Sequence, residues 1–513
     1  MFSRQRIQPG SPYLTDESKL TGESRNVALP FSEDEVREIM RVYNSKGNPV
    51  TVSAMRTGVC GGCVPMGNDV VSLENMSGAV GVGRDDRSYF IRLLPCTTLE
   101  ELDRILLERS FDGLEDLTPG AVESLSSEPV SYFYPVDPTE MGGSIGGNVA
   151  TNASGPRTYR YGTTRDWVRS IRVVFADGGV TEIRRGECVA EGNRIGFPAG
   201  RCYYSFDVPS YHVDGRVKNA TGPRFQEGMD LIDLFIGSEG IFGIITMVEV
   251  YLIPRVPTVS CIQFFPDDAS ALGAAKRIRS EVAGLEFLEF MDKGSIDLIR
   301  SVMDRDPLVV GSPVPPEGSA LFFDIPEEGH LDTLGTIGEI VRSYGSSLED
   351  SWFGSTLEDF RRMRELRHAV PKSIFEYVAS LKSAMPKIHK LGTDMAVPDG
   401  AADEMMSFYR SRLDEAGLEY VIFGHIGNNH PHVEIILRSM EEYEKAKAIY
   451  EEFAAKAVSL GGSCSAEHGL GRIKTRYLPL SYGEEAVAAI RTIKDVMDPK
   501  GILNPGVILE AVR

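Results

Sequence analysis

Asp137-Pro138-Thr139-Glu140-Met141-Gly142-Gly143-Ser144-Ile145-Gly146-Gly147-Asn148-Val149-Ala150-Thr151-Asn152 places four glycines within six residues, and Ala153-Ser154-Gly155-Pro156-Arg157 follows at once. Glycines let successive backbone N–H groups crowd together and face an anion. Two other segments have the same texture. One is Arg56-Thr57-Gly58-Val59-Cys60-Gly61-Gly62-Cys63-Val64-Pro65. The other is Gly237-Ser238-Glu239-Gly240-Ile241-Phe242-Gly243-Ile244-Ile245. A single loop of this kind is weak evidence, because ordinary turns also use glycine. Three of them, each beside β-rich sequence, predict a long cofactor carrying a diphosphate. None continues as the Gly-Lys-Ser/Thr of a nucleotide-triphosphate loop, and none has the spaced glycines of a dinucleotide fingerprint.

Around these loops the chain reads as a soluble enzyme of several domains. Its 513 residues are too many for one hydrophobic core. With 42% hydrophobic and 25% charged residues, the composition is that of a globular protein. Acidic residues outnumber basic ones by 74 to 54, a net charge of −20 that disfavours a nucleic-acid partner. No apolar run is long enough for a transmembrane segment. Met1-Phe2-Ser3-Arg4-Gln5-Arg6 lacks the apolar core of a secretory signal. Seven cysteines, thinly spread, suit reduced thiols in a cytoplasm better than a disulfide framework. The expected location is cytoplasmic, or peripheral to the inner face of the membrane.

Residues 1–30 are polar and irregular and are expected to form a surface arm. Ser32-Glu33-Asp34-Glu35-Val36 opens a helix with acidic residues in its first turn. Leu99 to Leu107 has a helical apolar pattern at Leu102, Ile105 and Leu106. Ile171–Ala176 and Val180–Ile183 read as strands joined at Asp177-Gly178-Gly179. Pro254-Arg255-Val256-Pro257 reads as a linker, after which helical patterns at 271–282, 331–343 and 444–460 alternate with strands. A last helix is predicted over 484–497. The expected organisation is an N-terminal arm (1–30), a cofactor domain (31–254), an α+β substrate or cap domain (255–460) and a C-terminal segment (461–513).

In the second half, Gly424-His425-Ile426-Gly427-Asn428-Asn429-His430-Pro431-His432 and Ser465-Ala466-Glu467-His468-Gly469-Leu470-Gly471 carry the chemistry. Tyr420–Phe423 and Val433–Leu437 read as buried strands. A tight hairpin between them sets His425 and His432 at one rim. Glu467, after the Gly461-Gly462 helix stop, is within reach of the same point. Two or three histidines and a glutamate suit a divalent metal, and one imidazole is left over as a base. The plainer reading makes them polar residues capping a hairpin. His430 reads as a second-layer or surface group. Cys60 and Cys63 have no second cysteine pair to complete a zinc site and read as loop residues. No cysteine grouping can hold an iron–sulfur cluster.

The second loop, continued through Tyr161-Gly162-Thr163-Thr164-Arg165-Asp166, resembles the flavin-binding signature of the vanillyl-alcohol oxidase / p-cresol methylhydroxylase superfamily. The third loop is similar to that family's Gly-Ser-Glu-Gly-x-x-Gly segment. Lys494 to Gly506 and the Glu467-His468-Gly469 turn resemble its D-lactate dehydrogenase / glycolate oxidase flavoprotein-subunit branch. The likeness covers roughly residues 30–508. It implies an α+β, two-domain flavoprotein with a PCMH-type FAD-binding domain, a cap domain and a C-terminal segment that returns to the flavin. FAD would be bound by Arg56, Thr57, Gly58, Val59, Cys60, Gly61 and Gly62 of the first loop. The second loop would add Asp137, Pro138, Thr139, Gly142, Gly143, Ser144, Asn148, Val149, Ala150, Thr151, Asn152, Ser154 and Gly155. Glu239, Gly240, Gly243, Ile244 and Ile245 of the third loop and Asn504 would complete the set.

The resemblance further implies His425, His432 and Glu467 as metal ligands, with zinc the first guess and manganese or iron behind it, and His468 as the base. Arg367 and Lys390 are candidates for the substrate carboxylate, although each taken alone reads as a surface charge or a structural ion pair. The sequence departs from the family at Cys60, at Pro95-Cys96 and at Thr221-Gly222-Pro223-Arg224, where a tyrosine is usual. No histidine lies in the first loop, so a histidyl-flavin link there is excluded.

The expected activity is FAD-dependent oxidation of a D-2-hydroxy acid such as D-lactate or glycolate. Electrons would leave to a separate acceptor: a quinone, a cytochrome, an electron-transfer flavoprotein or an iron–sulfur subunit. The alternatives are a non-redox flavoenzyme of the alkyl-dihydroxyacetone-phosphate synthase type and an electron-transfer subunit of a larger complex. A homo-oligomer or a subunit of a complex is expected.

Overall fold

The computed structural model describes residues 4–211, 213–303 and 313–510. Residues 1–3, on which the no-signal reading partly rests, lie outside the described residues, as do 511–513 at the end of the expected C-terminal segment. The chain is a mixed α+β protein built on three main sheets. The first has four strands in the order Arg4–Arg6, Asn26–Ala28, Asp69–Ser72, Val50–Ser53. The second has six, in the order Val180–Arg184, Val168–Val174, Ile244–Tyr251, Tyr89–Leu93, Ala79–Arg84, Glu115–Asp116. The third has seven, in the order Ser351–Gly354, Thr258–Phe265, Ser319–Pro326, Leu288–Met291, Glu419–His425, His430–Ile436, Leu391–Gly392.

The region expected to be a surface arm contributes two of these strands. Asn26–Ala28 pairs in parallel with Asp69–Ser72, and Arg4–Arg6 pairs with Asn26–Ala28. Val27 and Ala28 are buried there. Two three-residue strands are too short to show an alternating pattern, so composition alone made the segment look irregular.

Local signals set the helices. Ser32 accepts the Glu35 N–H and caps Glu33–Lys46, which stops at Gly47 in the left-handed region at φ 66°. Val36, Ile39, Met40 and Tyr43 form its buried face, and burial of each such side chain contributes roughly 1.5–3 kcal/mol. The helices Leu99–Glu108 and Glu484–Met497 fall where the apolar periodicity places them. The long helix Leu357–Leu381, with Pro371 inside it, carries Arg367.

The chain end returns to the first sheet. Leu503 bridges Val50 in parallel, and Asn504 N–H donates to the Val50 carbonyl at 3.0 Å. The Asn504 side chain accepts from Val52 N–H at 2.7 Å and donates to the Glu239 carbonyl at 2.8 Å. The third glycine loop is thereby tied to the first sheet from a position 265 residues away. Among the described residues no helix is long and apolar enough to cross a membrane.

Candidate active site

The three glycine-rich loops converge. Ser144 caps the helix Ile145–Thr151 by accepting from Gly147 N–H at 3.2 Å, and Asn152 ends that helix in the left-handed region. The first N–H groups of this helix are spent within the protein, Ile145 on the Thr97 carbonyl at 2.9 Å and Gly146 on the Pro95 carbonyl at 2.8 Å. A Cβ on Gly143 would stand 3.5 Å from Thr57 Oγ1 of the first loop, so these two loops face one another closely. Glycine is required at 155, where a Cβ would collide with the Asp137 carbonyl.

Some residues of the expected FAD set are committed to the protein itself. Arg56 pairs with Glu74 at 3.0 Å. The Glu239 carboxylate accepts Leu470 N–H at 2.7 Å and Gly471 N–H at 3.0 Å, joining the third loop to the 465–471 turn. Asn504 uses both ends of its amide on backbone. These three shape the loops. The Cys60 and Cys63 thiols are both pushed up to about 12, chiefly by burial, so neither is a thiolate at neutral pH.

The hairpin forms as the apolar runs predict. Glu419–His425 and His430–Ile436 pair antiparallel, with Phe423 opposite His432 and His425 opposite His430. His430, His432 and Glu434 alternate along one strand and so project to one face. His425, His430, His432 and Glu467 each offer a ligand atom within 4.8 Å of the others. His430 therefore joins the cluster, fully buried, whereas the sequence placed it in a second layer or at the surface. The period of two that puts 430 beside 432 was the signal for it. A second grouping, Asp394, Glu467 and His468, meets the same distance limit.

The electrostatics suit a cation. Burial holds His430 down to about 4, and His432 well below the usual imidazole range, with His430 and His425 adding to the effect. Both are neutral and free to donate a lone pair. Burial opposes charge on His425, but Glu467 outweighs it and the pKa rises. Glu467 is held well below the usual carboxylate range, because His425 and Lys218 overcome the burial penalty. His425 Nε2 lies 3.1 Å and His432 Nε2 3.7 Å from the Glu467 carboxylate. His430 Nε2 stands 3.3 Å from the buried Asp394 carboxylate, and its Nδ1 has no hydrogen-bond partner. Buried imidazoles around a carboxylate, with His430 and His432 neutral, form a donor set that a divalent cation completes. His432 Nδ1 is 2.9 Å from the Thr393 carbonyl, which leaves Nε2 for the cluster.

Three further residues were passed over in the sequence. Lys218, with no exposed side-chain surface, sets its ammonium against Glu467 and donates to the Gly155 carbonyl at 3.2 Å. It thus links the second glycine loop to the histidine cluster. Glu289 Oε1 stands 2.8 Å from His425 Nδ1, while its Oε2 stands 3.1 Å from Arg367 Nη1. Asp394 is fully buried beneath Glu467 and His468. Arg367 therefore reaches the cluster through Glu289. Lys390 pairs with buried Glu434 at 2.6 Å, on the strand that carries His432. His468 is the open member, with 37% of its side chain exposed.

Glycine loops joined to a buried imidazole–carboxylate cluster define a cofactor-dependent enzyme of the flavoprotein class. Residues 255–508 match the family model "FAD linked oxidases, C-terminal domain", and residues 127–184 match "FAD binding domain". The chain belongs to the FAD-linked oxidases. It is 28% identical to a D-lactate dehydrogenase of Anaerostipes hadrus, over 97% of this chain and 92% of the relative. It is 26% identical to glycolate oxidase subunit GlcD of Bacillus subtilis, over 94% and 88%. A mitochondrial D-2-hydroxyglutarate dehydrogenase of Bos taurus is 27% identical, over 98% and 81%. The fold is that of p-cresol methylhydroxylase, with a TM-score of 0.64 at 14% identity over 97% of this chain and 92% of that one.

Proposed function

We propose that this chain oxidises a D-2-hydroxy acid of the lactate, glycolate or 2-hydroxyglutarate kind to the 2-oxo acid, and that the electrons pass through FAD to a separate acceptor. The observation that carries this reading is the joining of the glycine loops to the histidine cluster, through Lys218 on one side and Glu239 on the other. The names of the relatives support the substrate class. The substrate would lie between the cofactor domain (31–254) and the cap (255–460).

His425, His432 and Glu467 would hold a divalent metal, and His430 offers a fourth donor from the same strand. Zinc suits this set of imidazoles and one carboxylate, with manganese or iron behind it. When bound, the metal would lower the pKa of the substrate hydroxyl, and the flavin would accept the hydride from C2. His468 would take the hydroxyl proton on the ring nitrogen turned towards the cleft. Arg367 and Lys390 would orient carboxylate groups of the substrate, each exchanging part of its present pairing with Glu289 or Glu434. Buried Glu289 would hold the His425 ring, as outer carboxylates do for metal-ligating histidines. The non-redox alternative rests on fold alone, since alkyldihydroxyacetonephosphate synthase is 15% identical at a TM-score of 0.61.

The test is anaerobic mixing of the FAD- and zinc-loaded protein with D-lactate, glycolate and D-2-hydroxyglutarate, followed at the flavin absorbance maximum. Bleaching by at least one of these acids is expected, and for the two chiral acids not by the L enantiomer. A flavin that stays oxidised with the whole panel retires the reading.

A further inference from the structure

We propose that Asp394 is the positioning residue for the base, holding His468 with Nδ1 towards its own carboxylate so that Nε2 is the nitrogen presented to substrate. The inference deepens the proposed function and rests on it for the role of His468. Asp394 follows the short strand Leu391–Gly392, which forms the edge of the seven-stranded sheet beside the His430–Ile436 strand. Its carboxylate therefore lies directly under the 465–471 turn.

The contacts are many and specific. Asp394 Oδ1 accepts the Glu467 N–H at 3.1 Å, and Oδ2 accepts the His468 N–H at 3.2 Å. Ser465 Oγ donates to Oδ2 at 2.8 Å and Lys474 Nζ at 2.7 Å. The Asp394 carbonyl accepts Ala466 N–H at 2.8 Å. The side chain thereby grips Ser465, Glu467 and His468 of the turn, and the backbone carbonyl grips Ala466 between them. Asp394 thus fixes both N–H groups of the Glu467-His468 pair, whose side chains stay close enough for their ligand atoms to lie within 4.8 Å of each other. Glu467 goes to the histidine cluster, while the His468 ring turns outwards with Nδ1 left 3.2 Å from Asp394 Oδ2.

A carboxylate beside Nδ1 accepts a hydrogen bond from an N–H there, so the neutral ring carries its hydrogen on Nδ1 and its lone pair on Nε2. The same logic orients the imidazole of a nucleophile–histidine–aspartate triad. Against the burial penalty, His468 and then Lys474 hold the Asp394 carboxyl below the usual carboxylate range. The Lys474 ammonium donates to Asp394 and stands 3.2 Å from Ser465 Oγ, forming a closed buried network. His430 Nε2, 3.3 Å from Asp394 Oδ1, is the other neighbour of that carboxylate.

The experiment uses full-length, FAD- and zinc-loaded protein, selectively 15N-labelled at its eight histidines. Long-range 1H–15N spectra of the substrate-free enzyme report the His468 tautomer, with H468A identifying its signals. The Nδ1–H tautomer is expected in the wild type and a shift towards Nε2–H in D394N. A wild type already in the Nε2–H form overturns the proposal without recourse to any variant. In stopped flow, D394N should reduce its flavin roughly tenfold to a thousandfold more slowly, within the range a general base contributes, with substrate affinity changed little. Zinc and FAD content should equal the wild type. Loss of zinc in D394N would make Asp394 a ligand together with Glu467 and His468, and would overturn the positioning role. Wild-type flavin reduction in D394N would overturn it as well. Should D394N fail to fold because Lys474 is left unpaired, D394N/K474M removes the stranded charge and takes its place. A panel of acids that never bleaches the wild-type flavin counts against the proposed function, and the tautomer is still read independently.

Discussion

The Lys218 ammonium rests against the Glu467 carboxylate, with Gly155 of the second glycine loop as its other partner. A unit positive charge in contact with a member of the donor cluster repels an incoming divalent cation. In a partly buried setting two unit charges 4 Å apart interact by about 4 kcal/mol, so the effect on affinity is large even after relaxation. K218M should therefore bind zinc at least about tenfold more tightly, measured by competition with a chromophoric chelator. Weaker binding in K218M would show that Lys218 organises Glu467 for the metal and does not oppose it.

FAD should be released intact when the protein is mildly denatured. None of the three loops contains a histidine, and the cysteines of the first loop have thiols pushed up to about 12 by burial, which makes them poor nucleophiles. Flavin that co-precipitates with the protein in acid would reveal a covalent link at some other residue.

His432→Ala should lose at least about a hundredfold in zinc affinity while keeping FAD. The histidine donors sit on the hairpin of the seven-stranded sheet and Glu467 in the 465–471 turn, far along the chain from the glycine loops. His430→Ala should also weaken zinc binding, by roughly tenfold to a hundredfold, because its buried ring lies in the cluster with Nδ1 unpartnered. Zinc content per FAD, determined after gel filtration, checks both. Full occupancy in H432A removes it from the ligand set, and full occupancy in H430A leaves that imidazole a bystander.

The glycine-rich loops, the hairpin and the approach of His425, His432 and Glu467 to one another were legible in the sequence because each has a local signature: clustered glycines, or two apolar runs flanking a short polar turn. His430 was misplaced because the turn was read as extending to 432, whereas the strand already begins at His430. Lys218, Glu289 and Asp394 had no such signature. Each is a single charge whose partner is distant along the chain, 249 positions in the case of Lys218 and Glu467. The pairing of Arg367 with Glu289 and of Lys390 with Glu434 was hidden for the same reason. Tertiary pairing of this kind leaves no periodicity to read.

Glu239 should impose a pH dependence on stability. Burial pushes its carboxyl up from the ordinary 4.5 to about 7, although the Leu470 and Gly471 N–H groups pull the other way. Between those values the unfolded chain has lost a proton that the folded chain keeps. The unfolded state then binds fewer protons, so stability falls as pH rises from about 4.5 to about 7, by roughly 3 kcal/mol at most. Below 4.5 the carboxyl is protonated in both states and its contribution is fully present. E239Q cannot ionise, so the melting temperature of the wild type minus that of E239Q should decline across this window. The histidines contribute equally to both proteins and cancel in the difference. A flat difference would mean that the two N–H donors keep Glu239 ionised at acid pH.

His468→Ala should keep zinc and FAD and lose flavin reduction. His468 and Glu467 are neighbours whose N–H groups are both fixed on Asp394, and only Glu467 joins the three-histidine cluster, although a His468 ring nitrogen lies within 4.8 Å of its carboxylate. Glu467 is buried against His425, while His468 leaves 37% of its side chain open. The ring is thus placed to receive a proton from a substrate while taking no part in the four-residue donor cluster. Loss of a general base typically costs roughly a hundredfold to ten-thousandfold in rate. Anaerobic stopped flow with the most active acid of the panel gives the reduction rate directly, and metal analysis of the same sample gives zinc per FAD. Near wild-type reduction would remove His468 from the proton transfer. Loss of zinc together with the rate would instead place His468 among the ligands with Asp394 and Glu467. The base would then be sought at His430, the one other imidazole of the site outside the ligand set implied by the family.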